Sequence, residues 1–355
     1  MHFPTKTTRA VAVVAAAFAC SAIVTPTTAE AAGKKVKVVA TISTYGSIAK
    51  EVGGDRVEVV SLVPGNQDPH FVQPKLSLSE KLAEADLFID TGLDLELWVT
   101  ALEDSAGNKK IMSGADGYVS ASKGITMLEV PSTADRKEGD VHVFGNPHVY
   151  LSPVNLRQVA RNVCAGLTKV DPSGKEAYDA NLETFLAKLD EKLFGAKLVG
   201  ILGGDKLAKL AAQGKLMGFL EENSYEGKPL SGSLGGWMRK AMPLRGMKVI
   251  AYHKNWAYFS RVFGVEVIDY VEPKPGIPPS TKHVKKIVSL CKKQGISVLL
   301  AATYYDQGKI QSIAKKAKVT PVVVAASVGG KGGVDDVFDV FDGIIDGLLG
   351  ALDGK

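Results

Sequence analysis

Short apolar runs alternate with amphipathic segments over the first part of the chain, roughly residues 35–169. The runs Val36–Ala40, Val57–Val63 and Leu87–Asp90 have the length and the β-branched content of buried strands. A helix is predicted to begin at Ser152, because serine is a favoured N-cap and the proline after it is a favoured first helical residue. Strands that alternate with helices indicate a parallel sheet with helices on its faces.

A longer helical pattern follows and is predicted over 171–194. Its apolar residues fall on one stripe, namely Tyr178, Leu182, Phe185, Leu186, Leu189 and Leu193. About 22 residues in a helix span roughly 33 Å. Such a helix would join two lobes rigidly, or it would be an ordinary packing helix within one domain. The glycine-punctuated stretch 195–245 is predicted to be a helical insertion, and it suggests no chemistry.

The strand–helix alternation resumes after residue 246. Strands are predicted at 248–252, 265–271, 296–301 and 319–324, and an amphipathic helix closes the chain. The fold class is therefore α/β with parallel sheets. In sheets of this kind, ligands bind beyond the carboxyl ends of the strands.

The N-terminus has the three parts of a secretory signal. Lys6 and Arg9 are basic, Ala10–Ile23 is apolar but short for a membrane span, and Ala29–Ala31 fits a small-x-small cleavage site. A membrane anchor is the alternative interpretation. Cys20 raises the further option of lipid attachment, which the bulky phenylalanine two residues before it disfavours.

These patterns divide the chain into five parts. We predict a signal peptide at 1–31, an N-terminal lobe at 32–170, a linking helix at 171–194, a helical insertion at 195–245 and a C-terminal lobe at 246–355. The mature part is long enough for two domains. A net charge of +5 with dispersed lysines does not indicate a nucleic-acid-binding stripe. Cys164 and Cys291 fall in helical apolar patterns, so buried thiols are expected rather than a disulfide or metal ligands.

Three of the six histidines follow strand-like runs. His70 ends the motif Gly-Asn-Gln-Asp-Pro-His, His148 ends Gly-Asn-Pro-His, and His253 ends Val-Ile-Ala-Tyr-His. Imidazole is the commonest protein ligand for zinc, so their equivalent placement suggests one shared site. Each histidine taken alone would more often be a surface residue or a local hydrogen-bonding group. The spacing is too long for a zinc finger, and no HExxH or CxxC motif occurs.

The three motifs, in this order, resemble those of the zinc/manganese solute-binding proteins of bacterial ABC importers, the cluster A-I family. The most specific segments are Asp68–His70, Gly145–Pro153 and Tyr252–Phe259. The resemblance covers nearly all of the mature chain except the insertion. It implies two (βα) lobes with parallel sheets, joined by one long rigid helix, with the metal in the interlobe cleft. It also implies that His70 and His148 come from the N-terminal lobe, and that His253 and a fourth ligand come from the C-terminal lobe.

The fourth ligand is where the chain departs from the family. That ligand is usually a carboxylate in the loop after the last strand, and here the loop is glycine-rich with no acid at the usual place. Asp336, at the start of the closing helix, is our predicted fourth ligand. Asp335, Glu272 and water are the alternatives, and both aspartates would also suit a helix N-terminus. The histidine-rich loop of some zinc members is missing, and only His142 stands before His148.

The function implied by the resemblance is capture of Zn(II) and its delivery to a membrane ABC permease with a cytoplasmic ATPase. The protein would be a monomer in the periplasm or on the extracytoplasmic face of the inner membrane. It would contact the membrane only through the permease or a lipid anchor, would bind no nucleic acid and would have no catalytic residues. Three nitrogen ligands favour zinc over manganese, which prefers more oxygen. Manganese-preferring members often carry glutamate in place of His253.

Three other functions remain open at the level of sequence. The first is a manganese-binding homologue of the same class. The second is a secreted zinc-dependent hydrolase, since three histidines plus an open position is also a catalytic arrangement, although no general base beside a ligand is obvious. The third is a surface adhesin, which no sequence feature supports.

Overall fold

A computed structural model describes residues 1–2, 34–131, 142–272 and 276–353. Lys34–Lys355 form one compact unit. The predicted signal peptide beyond its first two residues, and Cys20 with it, lie outside the described residues. Within the described ranges, no helix has both the length and the apolar character needed to cross a membrane.

Two four-stranded parallel sheets and a small antiparallel hairpin contain the strands of the fold. The strands are β1 (Val36–Ile42), β2 (Val57–Val63), β3 (Leu87–Asp90), β4 (Tyr118–Ser120), β5 (Ser224–Tyr225), β6 (Lys228–Pro229), β7 (Lys248–Ala251), β8 (Glu266–Tyr270), β9 (Val298–Ala302) and β10 (Thr320–Val324). The sheet orders are β2-β1-β3-β4 and β10-β9-β7-β8, and all pairs in these two sheets are parallel. In each sheet the carboxyl ends of the strands therefore meet at one edge.

The helices cover the sheets and connect them. They are α1 (Ser43–Gly53), α2 (Leu76–Ala83), α3 (Val99–Ala106), α4 (Pro153–Val170), α5 (Lys175–Phe194), α6 (Ala196–Leu202), α7 (Gly204–Ala212), α8 (Leu216–Glu222), α9 (Gly236–Lys240), α10 (Ala257–Phe263), α11 (Thr281–Gln294), α12 (Gln307–Ala317) and α13 (Val337–Asp353). The α/β prediction is confirmed. Ser152 caps α4 as expected, since its side chain accepts a hydrogen bond from the Asn155 amide. Cys164 in α4 and Cys291 in α11 are buried and free, also as expected.

The long helix α5 contains 20 residues, or about 30 Å at the usual rise. It begins later than predicted, because Pro172–Gly174 form a separate 3₁₀ turn. Its side chains reach both halves of the chain. Asn181 donates to the Val52 carbonyl of α1 at 3.1 Å, and the Phe185 ring lies 5.7 Å from that of Phe338 in α13. The stretch after α5 is helical apart from the short β5–β6 hairpin.

The two halves also meet directly, near the carboxyl ends of the strands. Ser43 donates to the Val328 carbonyl at 2.6 Å, and Thr44 donates to the Ser327 hydroxyl at 3.2 Å. A Cβ atom on Gly65 would lie 2.0 Å from the Val328 carbonyl oxygen, so only glycine allows this approach. The glycine-rich loop after β10 is thus packed against the N-terminal half.

Candidate metal site

The structure brings together the three histidines singled out from the sequence. One ring nitrogen from each of His70, His148 and His253 lies within 4.8 Å of the other two. The ring of His70 has its centroid 5.0 Å from that of His148 and 5.0 Å from that of His253, and the last two rings are 5.4 Å apart. His70 and His253 follow β2 and β7, and His148 precedes the turn that leads into α4.

His70 lies in a short loop that is held by hydrogen bonds. Its Nδ1 lies 2.7 Å from Asp68 Oδ1, which also accepts from the His70 amide at 3.0 Å. A buried side chain also holds the loop, because the Trp98 indole donates a hydrogen bond to the Pro69 carbonyl at 2.8 Å. Burial by itself would raise the pKa of the Asp68 carboxyl, but the hydrogen bond and charge interaction with His70 lower it overall. An ionised Asp68 accepts from Nδ1, so Nε2 carries the lone pair.

His148 is fully buried and its tautomer is set by Asn146. The Asn146 amide nitrogen donates at 2.8 Å to the Glu129 carboxylate and at 2.8 Å to the Lys254 carbonyl. Both partners only accept, so the amide oxygen must face His148, where it lies 2.9 Å from Nδ1. His148 Nδ1 therefore donates, and Nε2 is left as the free donor atom for a cation.

His253 has a carboxylate partner from the next strand of its sheet. Glu272 follows β8, and its Oε2 lies 2.8 Å from His253 Nδ1. Burial and the nearby charge of Asp68 raise the pKa of Glu272 to about 7. Glu272, which the sequence left as an alternative ligand, thus contacts the far side of the imidazole.

On each of the three rings, the nitrogen that does not contact the supporting oxygen has no partner of its own. Nε2 of His70, His148 and His253 is buried and has no hydrogen-bond partner among the described residues. Burial, and repulsion from the neighbouring histidines, hold the pKa of His148 and of His253 well below its usual range. These two rings are therefore neutral at neutral pH. Neutral imidazoles with lone pairs directed into a common space form a donor set for a divalent metal.

Asp336, the predicted fourth ligand, lies elsewhere. Its Oδ1 accepts from the amides of Phe338 and Asp339 at 2.8 and 2.9 Å, which is the bonding of a helix N-cap. The Asp335 amide donates to the carboxylate of Asp339 at 2.9 Å. Among the described residues, neither aspartate belongs to the cluster of candidate metal ligands. The structure does not bring Asp336 to the histidines, and its role as a ligand stays a prediction.

A fourth histidine, to which the sequence analysis gave no role, stands beside the cluster. His142 Nδ1 lies 2.9 Å from Asp94 Oδ1, and its buried Nε2 has no partner among the described residues. Its ring centroid is 5.6 Å from that of His70 and 6.0 Å from that of His148. Asp94 comes 48 residues before His142, so no local motif marks this pair.

Comparison with known protein families identifies the family of this chain. It belongs to the family described as zinc-uptake complex component A, periplasmic, whose profile matches residues 38–193 and 233–349. The unmatched residues between these two segments, 194–232, fall within the predicted insertion apart from residue 194, the last of the predicted linking helix. The resemblance to metal solute-binding proteins of ABC importers is confirmed.

Three relatives illustrate the range of metals in the family. The manganese ABC transporter substrate-binding lipoprotein PsaA of Streptococcus pneumoniae is 33% identical over 189 residues, 52% of this chain and 56% of PsaA. The high-affinity zinc uptake protein ZnuA of Bacillus subtilis is 25% identical over 295 residues, 81% of this chain and 78% of ZnuA. The iron ABC transporter substrate-binding lipoprotein MtsA of Streptococcus pyogenes is 32% identical over 177 residues, 49% of this chain and 53% of MtsA. The match therefore spans little more than half of the streptococcal proteins. The relatives are substrate-binding components of uptake systems, not enzymes.

Solved structures share the fold at low sequence identity. A crystal structure of ZnuA superposes with a TM-score of 0.65 at 22% identity, covering 90% of this chain and 99% of that chain. A manganese-bound periplasmic metal-binding protein from Candidatus Liberibacter asiaticus has a TM-score of 0.62 at 16% identity, covering 90% of this chain and 100% of that chain.

Proposed function

We propose that this protein captures Zn(II) outside the cytoplasm and delivers it to an ABC permease. One observation carries the proposal: three imidazoles each place a ring nitrogen within 4.8 Å of the other two, and the Nε2 atom of each is buried with no hydrogen-bond partner among the described residues. A buried polar atom without a partner is costly, and a bound cation would satisfy all three at once.

Zinc is the metal that these donors fit best. Zinc accepts imidazole nitrogens in a tetrahedral shell, whereas manganese favours more oxygen ligands. The carboxylates closest to the rings, those of Asp68 and Glu272, bind Nδ1 atoms. In that position they fix each ring and raise its basicity. Because the relatives are named for zinc, manganese and iron, the choice of zinc rests on this donor set.

Capture would need no covalent chemistry. Hydrated zinc enters the cleft and exchanges water for imidazoles from both halves of the chain. The loaded protein then docks on the permease, whose ATPase partner drives import. We propose that it acts as a monomer at the outer face of the inner membrane or in the periplasm, after removal of the signal peptide. The streptococcal relatives are lipoproteins by name, so a lipid at Cys20 is the alternative form of attachment.

Metal analysis of the mature protein, purified without a histidine tag, tests the proposal. We expect one zinc per chain and, in competitive chelator titrations, tighter binding of zinc than of manganese or iron(II). A triple variant with His70, His148 and His253 changed to alanine is the control, and it should hold no zinc. Tighter binding of manganese, or no metal at all, would contradict the assignment. Zinc uptake by proteoliposomes that contain a cognate ABC permease and its ATPase would test delivery.

A further inference from the structure

We propose that His142 is a fourth nitrogen ligand, so that the captured zinc is held by four imidazoles. The inference rests on the proposed function, because it completes the same site. It assigns a role to a side chain that lies outside the group of three. It also implies that the bound ion is a first-row metal that accepts nitrogen ligands, such as zinc, rather than a metal that prefers oxygen ligands.

His142 is built like the other three histidines. Each has its Nδ1 against an oxygen acceptor, and each has a buried Nε2 with no partner among the described residues. Asp94 contacts His142 twice: Oδ1 lies 2.9 Å from Nδ1, and Oδ2 accepts from the Val143 amide at 3.1 Å. A carboxylate in this position fixes the tautomer with the lone pair on Nε2.

The position of His142 is close to what a ligand needs. The rings of the three-histidine group are 5.0 to 5.4 Å apart, and the ring of His142 lies 5.6 Å from His70 and 6.0 Å from His148. His142 is not a member of the group whose ligand atoms all lie within 4.8 Å of one another. Rotation of this one side chain, still tethered by Asp94, would bring Nε2 to a zinc ion held by the other three.

The neighbouring acids are less suited to the fourth position. The carboxylates of Asp68, Asp94 and Glu272 each bind the Nδ1 atom of a histidine. Asp336 caps α13. A fourth imidazole fills the tetrahedral shell without removing any of these carboxylates from its present partner.

The test compares zinc and cobalt(II) binding by wild type, His142→Ala and His142→Asp. We expect His142→Ala to lower zinc affinity at least tenfold, and free imidazole to restore part of the loss. The visible spectrum of bound cobalt(II) should change, because one nitrogen donor is lost. His142→Asp, which offers oxygen in place of nitrogen, should shift the ratio of zinc to manganese affinity towards manganese.

Controls separate this inference from the proposed function. His283→Ala is the matched histidine substitution, because His283 binds the Tyr270 carbonyl and lies outside the candidate ligand group. Circular dichroism establishes that each variant is folded, and His142→Gln replaces any alanine variant that is not. If His148→Ala abolishes zinc binding while His142→Ala keeps the wild-type affinity and cobalt spectrum, the inference is wrong and the proposed function stands. If neither substitution alters zinc binding, the proposed function itself fails.

Discussion

The two parallel sheets have the same strand order but contribute differently to the candidate metal site. In each sheet the first strand in sequence lies between the second and the third, and the fourth strand is at the edge next to the third. Yet the N-terminal sheet and its loops supply His70 and His148 to the cluster, whereas the described part of the C-terminal half supplies His253 alone. A shared topology therefore fixes where a ligand binds, and the loops decide the chemistry.

The contrast is sharpest after the second strand of each sheet. His70 and its partner Asp68 follow β2, whereas Glu272 follows β8. In the first case the loop presents a metal donor together with its supporting carboxylate. In the second, the described part of the loop presents a carboxylate, which supports His253 from the neighbouring strand. Equivalent positions in the two halves thus carry a candidate metal ligand in one case and, in the other, a carboxylate that orients a ligand.

The largest effect on metal binding is expected when the histidines are removed one at a time. We expect His70→Ala, His148→Ala and His253→Ala each to weaken zinc binding at least about a hundredfold, roughly 2.8 kcal/mol. His253→Ala should show the smallest of the three losses, because both N-terminal ligands remain in place. Competitive chelator titration gives the affinities. Near wild-type affinity in any variant would remove that histidine from the site.

A smaller effect is expected from the carboxylates that support the rings. Asp68→Ala and Glu272→Ala should each lower zinc affinity about tenfold, since such partners typically contribute ten- to a hundredfold. Glu272→Gln is the matched control, because its amide oxygen can still accept from Nδ1. If Glu272→Ala weakened binding as much as a histidine substitution does, Glu272 would be a direct ligand, and the two halves would contribute more equally.

Asp336 distinguishes the sequence-based prediction from the geometry. As a ligand, Asp336→Ala would lower zinc affinity about tenfold. As the N-cap of α13, it should instead lower the free energy of unfolding by about 1 kcal/mol. We expect the second result, with zinc affinity unchanged within roughly threefold. Asp336→Asn should retain the cap, and urea denaturation with parallel zinc titrations measures both quantities.

The smallest effect concerns the joint between the N-terminal half and α5. Burial would raise the pKa of Asp171, but hydrogen bonds from Ser173, Tyr178 and Arg56 lower it to about 2. A carboxylate whose pKa is lower in the folded state stabilises the fold above its ordinary value, and that contribution is lost as pH falls towards about 2. Asp171→Asn should therefore be less stable than wild type at pH 7, with a difference that shrinks below about pH 4. A difference independent of pH would show that the charge is unimportant.

Much of the fold could be predicted, because the apolar pattern and the packing agree. The strands β1, β2, β3, β9 and β10 are apolar runs bounded by turns, and they form as expected. Among the elements that were not predicted, a strand and a helix show why. The strand β4 has only three residues, too few to show a pattern. The helix α1 contains Gly46, where a Cβ would lie 2.3 Å from Ser61 Oγ. Tertiary packing thus requires a residue that weakens the helical signal.

In the candidate site too, features marked by a local sequence motif could be predicted, whereas features that depend on contacts between distant residues could not. Each of the three clustered histidines has a local sequence motif, and for His70 and His148 the Nδ1 partner is only two residues away. The fourth metal ligand could not be predicted from a local motif. Asp336 looks equally suitable as a ligand and as a cap in sequence, and the pairing of His142 with Asp94 exists only in the folded chain.

The amide of Asn146 sets the protonation of a donor atom before any metal arrives. It fixes the proton on His148 Nδ1 while donating to the Lys254 carbonyl, one residue beyond His253. Movement of the two halves apart would break the Lys254 bond, but the Glu129 carboxylate and the His148 backbone amide, which donates to the Asn146 oxygen at 3.0 Å, would keep the side chain in the same orientation. His148 Nε2 would therefore keep its lone pair in an opened protein, and an arriving cation would meet a donor that needs no change of tautomer.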